Sequence, residues 1–114
     1  MNDRLELIRN IKKTIIYLDK IIENFPNREI VLIDQIKRTS YDMLELSYIA
    51  NTMDENKRKP SQTQIIVKLK MLDFYLKLAC DKKYISFNKY SKIGEYLVDI
   101  IKQINGWIKS SEKV

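Results

Sequence analysis

Apolar residues recur along this chain in steps of three and four. Ile8, Ile11, Ile15, Leu18, Ile22 and Phe25 follow the rule in a first segment. Leu32, Ile36, Thr39, Met43, Leu46, Ala50 and Met53 follow it in a second. Ile65, Leu69, Leu72, Leu76 and Ala79 make a third series, and Tyr90, Ile93, Leu97, Ile100, Ile104 and Trp107 a fourth. Such spacing lines one stripe of an α-helix, whereas a strand would scatter the same residues to both faces. The breaks carry helix-ending chemistry. Pro26 disfavours helix in the residue before it, the stretch Asp54-Glu55-Asn56-Lys57-Arg58-Lys59-Pro60 has no apolar residue, and Asp81 to Ser86 forms a third connection. Ser61 with Gln64 reads as a capping box, and Ser86 as an N-cap. The pattern predicts helices over about 3–24, 28–53, 62–80 and 87–109. Short connections make successive helices antiparallel, so the expected fold is all-α, an up-down-up-down four-helix bundle.

The apolar set is wider than these stripes. Leu7, Ile16, Ile21, Ile30, Val31, Ile33, Tyr48, Ile49, Phe74, Tyr75, Tyr96 and Ile101 lie beside them. Either each helix has a broad core-facing side, or a second apolar surface packs against another subunit. The pattern alone leaves both open.

Composition narrows the class. A chain of 114 residues has the size of one domain, 1–114, and two glycines with two prolines are too few for a turn-rich β fold. Histidine is absent and Cys80 is the one cysteine. Histidine acid–base catalysis, Cys/His zinc sites and an internal disulfide are thereby excluded. One unpaired cysteine suits a reducing compartment, the charged N-terminus does not read as a signal peptide, and no window is apolar enough for a membrane span. A cytoplasmic location is expected. Glu95 and Asp99 share a helix face, but pairing with Lys92 and Lys102 is the expected use of both. Cys80, beside Asp81, reads as a packed thiol rather than a nucleophile. Gly94 and Gly106 lack phosphate-loop spacing; Gly94 suggests close helix packing, and Gly106 room for Trp107 or a subunit contact. Trp107 is expected in the core. No catalytic set, metal site or cofactor motif emerges, and the expectation is a protein that is not an enzyme.

Charge adds a positive signal. Residues 1–57 hold nine Lys/Arg against ten Asp/Glu, while residues 58–114 hold twelve against five, which accounts for the formal net charge of +6. Between 57 and 92, ten basic residues face only Asp73 and Asp81. Arg58, Lys59, Lys68, Lys70, Lys77, Lys82 and Lys83 are therefore candidates for binding a polyanion, with Arg9, Lys12 and Lys13 on the first helix and Arg38 on the second. Lysine-rich helix faces are also ordinary solvated surface. No base-reading motif is present, so RNA or DNA would be held through its backbone.

The second half carries a family resemblance. The string Leu69-Lys70-Met71-Leu72-Asp73-Phe74-Tyr75-Leu76-Lys77-Leu78-Ala79, the Tyr84-Ile85-Ser86 turn and the ending Asn105-Gly106-Trp107-Ile108 resemble the small four-helix-bundle family typified by the accessory variability determinant protein of diversity-generating retroelements. Phe25-Pro26 is similar to that family's first turn, and the likeness spans about residues 8–109. The resemblance implies a homopentamer whose basic surface binds nucleic acid and a reverse transcriptase, assisting mutagenic copying of a template RNA without being the polymerase. It maps a basic family position onto Lys77, while Asp73 stands where some members have another basic residue. A related bundle family, encoded in ribosomal-RNA intervening sequences, shares part of the pattern and implies a structural or interaction role with no nucleic acid.

Overall fold

The computed structural model describes residues 3–112, and the side chains of 4–111. Four helices account for nearly all of them: α1 (Asp3–Ile22), α2 (Ile30–Thr52), α3 (Lys59–Asp81) and α4 (Phe87–Glu112). Short 3-10 turns, Asn27–Glu29 and Glu55–Lys57, precede α2 and α3. No strand occurs among the described residues.

Contacts between helices set their directions. Lys12, midway along α1, meets Tyr48 near the end of α2. Asp42 of α2 pairs with Lys68 of α3, and Glu29 just before α2 pairs with Lys82 just after α3. Asp73 accepts a hydrogen bond from Tyr90, while Arg58 before α3 lies over Trp107 late in α4. Asn10 bonds Gln103, and Tyr17 meets Tyr96 edge-on. Between α1 and α4, α2 and α3, and α3 and α4, the residue number rises along one helix as it falls along the other, and α1 is then antiparallel to α2 as well. The bundle is thus antiparallel throughout, with α1 opposite α3 and α2 opposite α4 across the diagonals, in a body of 47 × 23 × 19 Å. One end carries the 23–29 and 82–86 connections; the other carries the 53–58 connection, the start of α1 and the end of α4.

The expected stripes fill the core. Every stripe residue of the first and third segments is buried, as are Ile93, Leu97, Ile100, Ile104 and Trp107 of the fourth. In α2 the stripe drifts: Leu46 is half-buried and Met53 exposed, and Ser47 occupies the fully buried position. A helix of 3.6 residues per turn rotates away from a 3.5-residue repeat by about 20° per heptad, and α2 is long enough to show it. Buried hydroxyls satisfy themselves locally: Thr14, Ser40 and Ser47 donate to the carbonyls of Asn10, Lys37 and Leu44. Gln62, 1% exposed, is less well served, since its Nε2 has no partner among the described residues.

The flanking apolar residues divide into two groups. Leu7 and Ile21 join the core, and Ile33, Tyr75 and Ile101 pack partly against it. Ile16, Ile30, Val31, Tyr48, Ile49 and Phe74 are exposed, Ile30 and Val31 by 70% and 71%. The core-facing side is therefore somewhat broader than one stripe, and further large apolar residues stand exposed on the outside of the bundle.

Several local expectations change. Helix α3 begins at Lys59, three residues before the predicted 62, so Ser61 sits inside its first turn, buried, and the Ser61–Gln64 capping box does not form. The preceding 3-10 turn delivers the chain already helical at Arg58, and Pro60 fits the first turn because its missing N–H costs nothing there. Ser86 does cap α4, its Oγ accepting from the Lys89 amide at 3.1 Å. Neither glycine relieves a contact within the chain: a Cβ at Gly94 or Gly106 would meet nothing within 4 Å. Glu95 and Asp99 are exposed, and no ion pair among the described residues joins them to Lys92 or Lys102; the Lys92 ammonium instead lies 5.1 Å from the Tyr17 ring.

Helix α3 ends in a Schellman motif. The Tyr84 amide donates to the Ala79 carbonyl and the Lys83 amide to the Cys80 carbonyl, which places Lys83 in the left-handed region at φ 67°. A side chain there costs about 1 kcal/mol that glycine does not incur. Lys83→Gly is expected to stabilise the protein by about 0.5–1 kcal/mol, read as a rise of about 2–6 °C in Tm by thermal circular dichroism.

Candidate nucleic-acid interface

The eleven basic candidates do not form one patch. Lys70 and Lys77 are exposed on α3, two turns apart on one side of the helix, with no carboxylate partner among the described residues. Lys59 and Lys82 lie 23 residues apart at the two ends of α3, about 35 Å at 1.5 Å per residue. Arg9, Lys12 and Lys13 occupy α1, diagonally across the bundle from α3. Arg38 faces outward from α2.

Several of these cations are already engaged. Arg9 donates to Glu6 at 2.8 Å and Arg38 to Asp34 at 2.7 Å, both at exposed positions where such pairs contribute little to stability. The bonded Asp34 carboxylate raises the Arg38 pKa further. Lys68 bridges to Asp42 at 3.2 Å, tying α3 to α2. Lys82 donates to Glu29 at 2.9 Å, and the Tyr84 hydroxyl donates to the same carboxylate. Those two donors, Tyr84 first, hold the Glu29 carboxyl below its ordinary pKa. With the Phe25 and Tyr84 rings 5.5 Å apart, they fasten both connections at that end of the bundle. Lys13 and Lys83 are exposed with no carboxylate partner among the described residues.

Arg58 corrects the charge reading outright. It is 7% exposed, its Nε donates to the Ala50 carbonyl at 2.9 Å, and its guanidinium lies 5.7 Å from the Trp107 ring centroid. Glu55 stands 3.9 Å away as counter-charge. The α2 terminus leaves carbonyls without i+4 helical partners; the Ala50 carbonyl accepts from the Met53 amide at 3.3 Å, and the planar Arg58 cation gives it a second, shorter bond while lying over the indole. Arg58 is thus a clamp between α2, α3 and α4 and is withdrawn from any surface a polyanion could reach.

Sequence reasoning missed a groove between α1 and α2. Leu5, Ile8, Arg9, Lys12, Tyr48 and Asn51 line an open space of about 320 Å³. Tyr48 presents its ring there, 42% exposed, with the Lys12 ammonium 5.5 Å from its centroid. Tyr48 was visible only as an off-stripe aromatic, and nothing in a linear pattern relates positions 12 and 48.

Between the basic pair on α3, three residues after Lys70 and four before Lys77 and so on the same side of the helix, Asp73 accepts from the Tyr90 hydroxyl at 3.0 Å. The carboxylate at that position is therefore committed to joining α3 and α4. Cys80 is half-buried and unpaired, and no group of three or more acidic, cysteine or histidine side chains suited to a metal occurs among the described residues. No described helix is long and apolar enough to cross a membrane.

These features define a small all-helical bundle that presents cations at several separate places. Residues 6–111 match the family described as bAvd-like, and the chain belongs to that family. The name denotes a bacterial accessory variability determinant, a retroelement-associated accessory protein rather than a catalyst. No curated protein matches the sequence.

Two predictions follow from this geometry. Arg58→Ala leaves the Ala50 carbonyl with only the longer Met53 amide bond, uncovers the Trp107 face, and is expected to cost about 2–3 kcal/mol in urea unfolding. Tyr90, partly buried and bonded to the Asp73 carboxylate, has its pKa raised from 10.0 to about 12. Above pH 10 an unfolded chain releases this proton while the folded one keeps it, so stability falls between pH 10 and 12. Tyr90→Phe is expected to flatten that part of the stability–pH curve.

Proposed function

We propose that this protein is a non-enzymatic accessory factor of a diversity-generating retroelement, an oligomer that engages the backbone of RNA or cDNA and partners the element's reverse transcriptase. The observation that carries the reading is the pair Lys70 and Lys77, exposed on one side of α3 and without a carboxylate partner among the described residues, in a chain of the bAvd-like family. Each phosphate a lysine neutralises releases a condensed counterion, so such cations favour any strand regardless of sequence. The family assignment supplies the retroelement context; the reverse transcriptase as partner rests on that context.

Self-association is supported by exposed apolar residues on α3 and α4. On α3, Val67, Met71 and Phe74 are exposed and step by four and three on the side away from the core. On α4, Phe87, Gly94, Val98 and Ile101 follow a similar rule, Phe87 being 72% exposed. The space beyond Gly94 is open to a helix from another copy. A homopentamer would multiply the formal +6 of one chain fivefold, giving many weak phosphate contacts at once.

RNA affinity is expected to fall steeply between about 50 and 200 mM salt, with little base preference, in fluorescence anisotropy. Lys70→Glu combined with Lys77→Glu is expected to weaken binding by about tenfold or more with the helical circular dichroism unchanged. Salt-independent binding, or a double variant that binds like the wild type, would refute the reading. Native mass measured with and without RNA tests the oligomer: a monomer whose mass does not shift on adding RNA is incompatible with it.

A further inference from the structure

We infer that the groove between α1 and α2 is a stacking site for unpaired nucleotides, with Tyr48 as the platform and Lys12 as the phosphate partner. The inference rests on the reading that the protein binds nucleic acid, and it names the form of nucleic acid and the place.

Three properties coincide in this groove. Its volume, about 320 Å³, lies at the lower end of the range for pockets that hold a small molecule, which suits one nucleotide. Its lining has the right chemical order, since Leu5 and Ile8 offer an apolar wall, Tyr48 an aromatic face and half-buried Asn51 an amide that both donates and accepts. Its cations stand beside the ring. Lys12 is 5.5 Å from the centroid, and its neighbour Arg9 is balanced by Glu6, which leaves Lys12 as the charge available to a phosphate. Single-strand binders combine these elements, because every base has a π-face and every linkage a charge.

Other exposed aromatics lack the combination. Phe87 and Phe74 are more exposed than Tyr48, but no cation lies over either ring among the described residues. Tyr17 has Lys92 above it, yet the ring is half-buried and packed edge-on against Tyr96. Tyr41, 47% exposed and seven residues before Tyr48, continues the platform along the same side of α2, about 10.5 Å away. A duplex cannot use such a site, because its bases are already stacked on one another. The expected ligand is therefore a single strand.

The test compares wild type, Tyr48→Leu and Tyr48→Phe by fluorescence anisotropy, using a twelve-nucleotide single-stranded RNA and a blunt RNA duplex of the same length. Tyr48→Leu is expected to weaken single-strand binding about fivefold or more, while Tyr48→Phe stays within about twofold and duplex binding is unchanged in both. Equal loss on single strand and duplex, or no loss on either, overturns the stacking site while leaving backbone binding intact. Native mass taken in parallel separates a rival: if Tyr48→Leu dissociates the oligomer, the groove is a subunit contact and the inference fails. Failure of the wild type to bind either RNA at low salt removes the underlying reading, and the inference with it.

Discussion

Burial of four apolar stripes at once is the constraint on which the rest of this molecule depends. A helix has one such stripe, and four antiparallel helices can satisfy all of theirs only by turning them to a common axis. Every other position then faces outward by default. A chain with 32% charged residues must therefore distribute its lysines around the whole circumference. The ends are fixed by polar devices instead. Arg58 closes one end by joining the Ala50 carbonyl to the Trp107 ring, and Glu29 closes the other by receiving Lys82 and Tyr84.

The division between what the residues announced and what they concealed follows the range of the interactions. The stripes are local, since positions three and four apart meet on one helix, and from Ile8 to Trp107 they placed all four helices and almost all of the core. The Ser86 cap is local too, and it formed as read. Arg58 was read as a surface cation because its neighbours in sequence are polar. Its burial depends on a carbonyl eight residues back and an indole 49 residues ahead, and no window of the chain contains both. The capping box at Ser61 failed for a related reason, because the 3-10 turn before it had already started the helix. Gly94 looked like a packing device, but a Cβ there would meet nothing within 4 Å, so it packs closely against no helix of its own chain.

Charge was the feature most altered by three dimensions. Between residues 57 and 92 the excess of +8 looks like one patch when written as a line. Folding removes Arg58, pairs Lys68 and Lys82 with Asp42 and Glu29, and spreads the remainder over a body 47 Å long. Lys57, Lys70, Lys77, Lys83 and Lys89, exposed and without a carboxylate partner among the described residues, are what the linear excess leaves on the outside.

Screening then decides how such a surface can act. At physiological ionic strength the Debye length is about 8 Å, far less than the roughly 35 Å between the ends of α3. Cations at the two ends cannot add their fields, so a protomer does not behave as a single highly charged object. It offers isolated contacts, each worth little in water. Isolated contacts become strong in two ways, by repetition across several copies or by coupling to a short-range interaction that salt does not screen. In the proposed oligomer the exposed stripes on α3 and α4 would supply the first, and at the proposed stacking site the Tyr48 ring beside Lys12 would supply the second. The two strengthen each other, because every copy added to an oligomer repeats the groove as well as the charge.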